Sequence, residues 1–221
     1  MDIRVGFDLD GTLYETRPVI FSVDQRLRTV LGYPQISEER YFSQFQTRDW
    51  RKFYSNLGIA ESDIDRIIQL FVSEFERVEP PLMLPGAKEV IAQAEAELGL
   101  NSLYFITNDP MNRVKRRFQR DGLEHFLTRV DTPFQGKAKE LHRLAMQHPD
   151  IPFAYIGDLV SDGEDCLEAR NRGAENIQFY AMLHQYALNT ADSMRAFIEK
   201  HPAFAKTLNS VQDIPVIWSP Q

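Results

Sequence analysis

The chain has 221 residues, 43% of them hydrophobic and 26% charged, so it is long enough to bury one globular core with a smaller insert. Its formal charge of -7 argues against broad nucleic-acid binding, which needs a basic surface. A single cysteine excludes an internal disulfide framework. Since no apolar run is long enough for a membrane span and no signal-peptide pattern opens the chain, we expect a soluble cytoplasmic protein.

The first predicted element is a short buried strand over residues 3–7, which is followed by Asp8 and Asp10. Ionised carboxylates at the end of a buried strand are costly unless they are paired or bind a metal. The apolar spacing then becomes helical up to about residue 78, which predicts three helices, at 19–32, 36–58 and 60–78. The third helix has one apolar face, formed by Ile64, Ile67, Ile68, Phe71, Val72 and Phe75.

Three prolines and a glycine at 79–86 end this helical region, and strands and helices alternate after it. The predicted strands are residues 102–107, 126–132, 153–157 and 176–180. The predicted helices are residues 87–99, 111–122, 137–148 and 163–173. Strands separated by helices favour parallel pairing, so the pattern predicts an α/β, doubly wound, Rossmann-like sheet with an all-helical insert after its first strand.

This organisation predicts two domains. Residues 1–16 and 84–221 would form the α/β core, and residues 17–83 would form a small helical cap domain. The chain after about residue 183 has a weaker pattern, which favours a helix at 191–201 and a final apolar segment at 214–218.

Polar side chains follow three of the predicted core strands, where ligands bind in open parallel sheets. They are Asp8 and Asp10, then Thr107, Asn108 and Asp109, and then Asp158, Asp162 and Asp165. Lys137 begins the helix that leads to the last of these strands. Hard oxygen ligands without a histidine or cysteine cluster suit Mg²⁺, and a lysine beside them suits phosphoryl transfer.

The sequence resembles the haloacid dehalogenase-like superfamily, whose four motifs match in order at FDLDGTL, ITND, GKAKEL and IGDLVSD. The resemblance covers roughly residues 3–180, and the helical insert resembles the helical (C1-type) cap of the family. It implies a hydrolase of the phosphatase branch that acts on a small phosphorylated metabolite and uses Mg²⁺.

The resemblance also implies a role for each matched residue. Asp8 would be the nucleophile that forms an aspartyl-phosphate, and Asp10 would be the general acid and base. Thr107 and the Asn108 backbone would hold the phosphoryl oxygens. The metal would be bound by Asp8, by Asp158 and by the backbone carbonyl of Asp10. Lys137 would bridge the nucleophile and the phosphate.

Two assignments stay open at this point. In the fourth motif, spacing from Asp158 favours Asp162 as the second, outer acid, whereas the later Ala169 and Gly173 have the family spacing only from Asp165. In the third motif Lys139 competes with Lys137, although Lys137 fits better because Leu141 follows four residues later.

Other functions compete with the phosphatase. A phosphotransferase or mutase would have the same fold, and a non-catalytic protein that binds a phosphorylated metabolite would keep it too. A dehalogenase is disfavoured because dehalogenating relatives lack an acid at the position of Asp10.

Two basic clusters are interpreted as structural. The run on the helix at 111–122 is interpreted as a solvated face; its residues are Arg113, Lys115, Arg116, Arg117 and Arg120. The insert contains a second basic cluster, interpreted as the polar side of an amphipathic helix and formed by Arg48, Arg51 and Lys52. The alternative is that part of this helix faces the active site and recognises an anionic or ring-bearing substrate. Cys166 is expected only to pack in the core.

Overall fold

The computed structural model describes residues 2–45, 49–133 and 136–219. A six-stranded sheet in the order β3-β2-β1-β4-β5-β6 forms its centre, and every one of its strand pairings is parallel. The strands are β1 (Arg4–Phe7), β2 (Leu103–Ile106), β3 (Val130–Asp131), β4 (Phe153–Gly157), β5 (Ile177–Met182) and β6 (Ala205–Leu208). The predicted doubly wound α/β fold is confirmed.

Helices cover both faces of this sheet. One face packs against α5 (Ala87–Leu98) and α6 (Met111–Asp121). The other face packs against α7 (Ala138–Met146), α8 (Val160–Asn171) and α9 (Ala191–Lys200). Cys166 of α8 is fully buried in this second layer, as expected.

The chain between β1 and β2 begins with four further helices, which share an apolar cluster of their own. They are α1 (Arg17–Val30), α2 (Glu38–Phe42), α3 (Trp50–Asn56) and α4 (Glu61–Arg77). The predicted apolar face of α4 holds except at Val72, which is 51% exposed. The all-helical insert is therefore present, while the division into domains at 16/17 and 83/84 stays a prediction.

The predicted second helix of the insert, residues 36–58, is instead two short helices, α2 and α3. Each has its own N-cap, since Ser37 Oγ accepts a hydrogen bond from the Arg40 backbone N–H and the Asp49 carboxylate accepts from Arg51 and Lys52. A second N-cap inside a helical pattern starts a new helix, because its side chain replaces the missing backbone acceptors.

The strands at the edges of the sheet depart from the prediction. Residues 126–132 were predicted as a strand, but most of them lie in a 3-10 helix (Glu124–Arg129), and β3 has only two residues. β6 was not predicted, because its buried ends enclose two exposed residues and give no alternation. The predicted helix near residue 191 is α9, and the last apolar segment is a 3-10 helix (Val211–Ile217).

The two chain segments that enter and leave the helical insert lie side by side. Glu15 N–H donates to the Leu82 carbonyl at 2.9 Å, and Leu84 N–H donates to the Leu13 carbonyl at 2.8 Å. This pairing holds both ends of the insert next to the carboxyl end of β1. Among the described residues, no helix combines the length and the apolarity that crossing a bilayer would require.

Candidate active site

The carboxyl ends of β1, β2 and β4 meet at the centre of the sheet, and each is followed by polar residues. Asp8 follows β1, Thr107 follows β2 and Asp158 follows β4. The Asp8 backbone N–H donates to the Ile156 carbonyl of β4 at 2.8 Å, which extends the pairing of the two strands into the site. All three side chains are buried, so each needs a partner inside the protein.

Lys137 lies between two aspartates, Asp8 and Asp162. Its ammonium lies 2.7 Å from Asp8 Oδ1 and 2.8 Å from Asp162 Oδ1, and it donates to the Tyr155 hydroxyl at 2.9 Å. Tyr155 in turn donates to the Ile106 carbonyl at 3.2 Å. The three donor positions of the ammonium are thus used within a buried polar cluster, which is how a buried charge becomes tolerable.

The charged groups of this cluster shift one another's pKa values. Burial raises the pKa of Asp8 to about 7, against the opposing effect of the Lys137 ammonium. Burial alone lowers the pKa of Lys137, but Asp162 and Asp8 outweigh it and raise that pKa above its ordinary value. Burial and then the nearby Asp8 and Asp162 raise the pKa of Asp158 well above its usual range. The site therefore has more carboxylates than cations, and it would gain from a bound cation.

Asp8, Asp158 and Asp162 lie close enough together to hold a metal ion. One oxygen from each lies within 4.8 Å of the others, and all three residues are buried. Three carboxylate oxygens without histidine or cysteine form a donor set for a hard cation such as Mg²⁺. The residues present therefore fit the metal that the sequence predicts.

Two glycines leave room for these carboxylates. A Cβ on Gly11, whose φ is +73°, would overlap the Asp158 carboxylate. A Cβ on Gly157 would lie 2.5 Å from Asp162 Oδ2. Glycine allows the backbone to approach an acidic group this closely, and at Gly11 it also permits the left-handed turn.

Asp162 and Asp165 are both buried but have different surroundings. Asp162 accepts from Lys137 and from the Leu159 backbone N–H at 3.0 Å. The Asp165 carboxylate accepts from the backbone N–H groups of Lys137 and Ala138, at 3.0 and 3.2 Å, and so supports the start of α7. Within the described ranges, Asp162 joins the three-carboxylate cluster and Asp165 does not.

Asp10 lies beside the cluster and has partners of its own. Its Oδ1 accepts from Thr16 Oγ1 at 2.7 Å and lies 2.8 Å from Arg117 Nη2, while its Oδ2 lies 3.4 Å from Thr107 Oγ1. Burial raises the pKa of Asp10, but Arg117 and Thr16 outweigh burial and leave that pKa below its usual value.

Thr107 and Asn108 are placed differently by the turn after β2. Thr107 is fully buried, and its hydroxyl accepts from the Asp109 backbone N–H at 3.1 Å. Asn108 is exposed. The turn thus brings a hydroxyl next to Asp10 and leaves the Asn108 side chain at the surface.

The family model for haloacid dehalogenase-like hydrolases matches residues 5–167, which is most of the chain. The chain belongs to the haloacid dehalogenase-like hydrolase family. Both the resemblance seen in the four motifs and the prediction of a hydrolase are confirmed.

The chain is similar in sequence to a curated protein and in fold to solved structures. A phosphoglycolate phosphatase from Synechococcus elongatus is 27% identical over 168 residues, which cover 72% of this chain and 76% of the relative. A haloacid dehalogenase-like hydrolase from Streptococcus pneumoniae superimposes with a TM-score of 0.73 at 17% identity, covering 98% of this chain and 99% of that one. A hydrolase of the family from Deinococcus radiodurans, with bound phosphate and sodium, has a TM-score of 0.70 at 17% identity and covers 98% of this chain and 94% of that one.

In this haloacid dehalogenase-like hydrolase, one core segment contacts both the site and the helical insert. The Leu188 backbone N–H donates to Asp158 Oδ2, and the Leu188 side chain packs into the apolar cluster of the insert. Asn189 Nδ2 donates to the Phe45 carbonyl at 2.9 Å, and Arg17 Nη1 donates to the Ala187 carbonyl at 3.0 Å. The insert therefore packs on the core beside the aspartates.

The interpretation of the basic run on α6 as a solvated face is wrong for two of its residues. Arg113 and Arg117 have no exposed surface, and both pair with Asp109. Arg113 and Arg117 lie one turn apart on α6, beside the buried Val114 and Phe118, and Asp109 precedes the helix. The charge pattern of the sequence does not distinguish these two arginines from the exposed basic residues of the same run.

The basic cluster of the insert is only partly described. Arg51 is exposed and pairs with Glu61 and Asp65 of α4, which agrees with an amphipathic surface. Lys52 is exposed as well, and Arg48 lies outside the described residues.

Proposed function

We propose that the protein is a Mg²⁺-dependent phosphatase that hydrolyses a small phosphate monoester through an aspartyl-phosphate on Asp8. The observation that carries the proposal is the position of Asp8, a strand-end carboxylate 2.7 Å from the Lys137 ammonium and within a cluster of three acids. A carboxylate attacks a phosphate dianion only where cations offset the charge of both.

In the first half of the reaction an Asp8 oxygen attacks phosphorus, and the bond from phosphorus to the ester oxygen breaks. Asp10 enters this half protonated, since the negative charge of the bound phosphate group favours its acid form, and gives that proton to the departing alkoxide, which leaves as an alcohol. Thr107 and the Asn108 backbone bind the phosphoryl oxygens, and the Lys137 ammonium offsets their negative charge from its position beside Asp8. This half ends with a phosphoryl group on Asp8 and an ionised Asp10.

In the second half a water molecule attacks the same phosphorus, and Asp10 takes one of its protons. The bond between Asp8 and phosphorus breaks, which releases inorganic phosphate and regenerates both carboxyl groups. Asp10 thus acts first as acid and then as base, and protons and bonds balance over the cycle.

Mg²⁺ would be held by the carboxylates of Asp8 and Asp158 and by the backbone carbonyl of Asp10, with Asp162 as the outer acid. When bound, it would offset the negative charge of the carboxylates and of the phosphoryl group. Asp162 is preferred over Asp165 because Asp162 belongs to the three-carboxylate cluster, whereas Asp165 supports the backbone at the start of α7.

The helical insert would act as a lid that limits the entry of water and contacts the part of the substrate beyond the phosphate. Its packing beside Asp158, through Leu188 and Asn189 of the core, supports this role. The similarity to a phosphoglycolate phosphatase makes phosphoglycolate the first substrate to test, followed by other small phosphate esters.

The test is phosphate release from a panel of such esters with Mg²⁺, for the wild type, Asp8→Asn and the exposed control Asp150→Asn. We expect release by the wild type and Asp150→Asn and none by Asp8→Asn. Release that survives in Asp8→Asn would refute the mechanism. Transfer of phosphate to a second metabolite would indicate a phosphotransferase or mutase, and binding of esters without turnover would indicate a non-catalytic binding protein.

A further inference from the structure

A row of alternating charges runs from helix α6 to Asp10. Arg113 Nε lies 3.1 Å from Asp109 Oδ1, Asp109 Oδ2 lies 2.5 Å from Arg117 Nη2, and the same Arg117 nitrogen lies 2.8 Å from Asp10 Oδ1. Three of these four side chains have 3% or less of their surface exposed, and Asp10 has 19%. Asp10 is thus the end of the row that meets the candidate site.

The Arg117 guanidinium is held by its ion pairs and by packing, since none of its three nitrogens makes a hydrogen bond to a described residue. It has no exposed surface, lies 5.1 Å from the centre of the Tyr14 ring and contacts two carboxylates. Tyr14 is itself held by a hydrogen bond from its hydroxyl to Asp121 Oδ2 at 3.0 Å. A planar guanidinium between two acids restricts the rotation of both of them.

The contacts of Asp10 divide its two oxygens. Oδ1 accepts a hydrogen bond from Thr16 Oγ1 and forms an ion pair with Arg117, whereas, among the described residues, Oδ2 accepts only the longer hydrogen bond of 3.4 Å from Thr107 Oγ1. Thr107 is a residue that the proposed function assigns to the phosphoryl group. The oxygen that faces the ester is therefore Oδ2, and Oδ1 is the anchored oxygen.

We propose that Arg117 is a positioning residue for proton transfer by Asp10: it holds Oδ1, so that Oδ2 carries the proton to the leaving group. Asp109 also pairs with the Arg117 guanidinium, and Arg113 pairs with Asp109. This inference rests on the proposed phosphatase function. It adds to that function a residue of α6 that acts through the Asp10 side chain.

The chemistry of the leaving group separates positioning from a merely structural role. An alkoxide needs a proton in order to leave, whereas p-nitrophenolate is stable enough to leave without one. The ratio kcat/KM reports the steps up to the first irreversible one, so slow hydrolysis of the aspartyl-phosphate does not mask the effect. Loss of positioning must therefore reduce kcat/KM for an alkyl ester more than for p-nitrophenyl phosphate.

The experiment compares Arg117→Met, Arg117→Lys and Arg116→Met on p-nitrophenyl phosphate and on the alkyl phosphate that the wild type hydrolyses fastest. Arg116 lies on the same helix but is exposed, and it donates to the Glu76 carbonyl. We expect Arg117→Met to lose roughly 10²-fold in kcat/KM on the alkyl ester and less than about 10-fold on the aryl ester. Arg117→Lys should recover part of the alkyl activity, and Arg116→Met should match the wild type.

Equal losses on the two esters, or no loss on either, would overturn the proposal. If Arg117→Met does not fold, Asp109→Asn is measured instead, since it keeps Arg117 and removes the charge of one of its two carboxylate partners. A loss of kcat/KM that is selective for the alkyl ester supports the proposal, and an equal loss on both esters overturns it. A wild type that hydrolyses neither ester would instead refute the proposed function itself, so the two failures are distinguishable.

Discussion

The carboxylate of Asp165 accepts a hydrogen bond from the backbone N–H of Lys137 at 3.0 Å, and so it supports the lysine from the side of the main chain. Asp162 instead reaches the ammonium of the same lysine at 2.8 Å. The two acids that the spacing of the fourth motif left open thus contact opposite ends of one residue.

This difference predicts different losses for two matched variants. Asp162→Asn should raise the Mg²⁺ concentration needed for half-maximal activity by about 10-fold or more, because it removes a charge from the carboxylate cluster. Asp165→Asn should change that concentration much less and should lower the free energy of unfolding by about 1–2 kcal/mol, since it weakens the cap of α7. Metal titration and urea unfolding of both variants measure this, and reversed results would assign the outer acid to Asp165.

Lys137 is predicted to be essential for stability as well as for activity. Lys137→Met leaves Asp8 and Asp162 buried without their cation, which should cost about 3–5 kcal/mol of unfolding free energy. The control is Lys139→Met, which changes the competing lysine of the third motif, an exposed residue. Urea unfolding should also show that adding Asp162→Asn to Lys137→Met costs less than the sum of the single changes, because the double variant buries one charge fewer. Additive costs would mean that the two side chains do not interact.

Part of this site could be predicted from sequence alone. Asp8, Thr107 and Asp158 each follow a strongly apolar strand, and the carboxyl ends of neighbouring parallel strands meet at one edge of a sheet. Strand order and side-chain identity therefore suffice to bring them together. The confirmed fold depends on the same alternation of strands and helices.

The rest depends on long-range contacts that no local pattern contains. Whether Asp162 or Asp165 faces the cluster depends on where α8 begins, and the structure starts it at Val160, before the predicted residue 163. Arg113 and Arg117 were interpreted as solvated, because an arginine does not show from sequence whether it has a buried partner. β6 shows no period-2 pattern, because its two middle residues are both exposed, and β3 has only two residues.

Gly11 is predicted to tolerate no side chain. Gly11→Ala would strain a residue with φ of +73° and would also push a Cβ into the Asp158 carboxylate. Gly32→Ala is the control for strain alone, since its φ is +77° and nothing lies within 4 Å of its Cβ position. Thermal unfolding should show a cost of about 1–2 kcal/mol for Gly32→Ala with normal activity. Gly11→Ala should cost more and lose at least about 10-fold in activity; equal behaviour of the two variants would contradict the close approach.

Metal binding is predicted to stabilise the fold. The three clustered carboxylates repel one another without a cation, so Mg²⁺ at about 100 times its Kd should raise the Tm by roughly 5–10 °C. Chelation with EDTA should remove both this shift and the activity, and added Mg²⁺ should restore them. Asp158→Asn should abolish the shift, whereas the exposed control Asp150→Asn should keep it. A shift that persists in Asp158→Asn would place the metal elsewhere.

In the proposed mechanism Asp8 carries the phosphoryl group during turnover, and trapping of this intermediate detects it. The wild type is mixed with a radiolabelled phosphate ester that it hydrolyses, quenched in acid within one turnover and digested for peptide mapping. We predict label on the peptide that contains Asp8, lost on treatment with hydroxylamine as expected for an acyl phosphate, and absent from Asp8→Asn. Turnover by the wild type with label on another residue, or continued turnover by Asp8→Asn, would exclude Asp8 as the nucleophile.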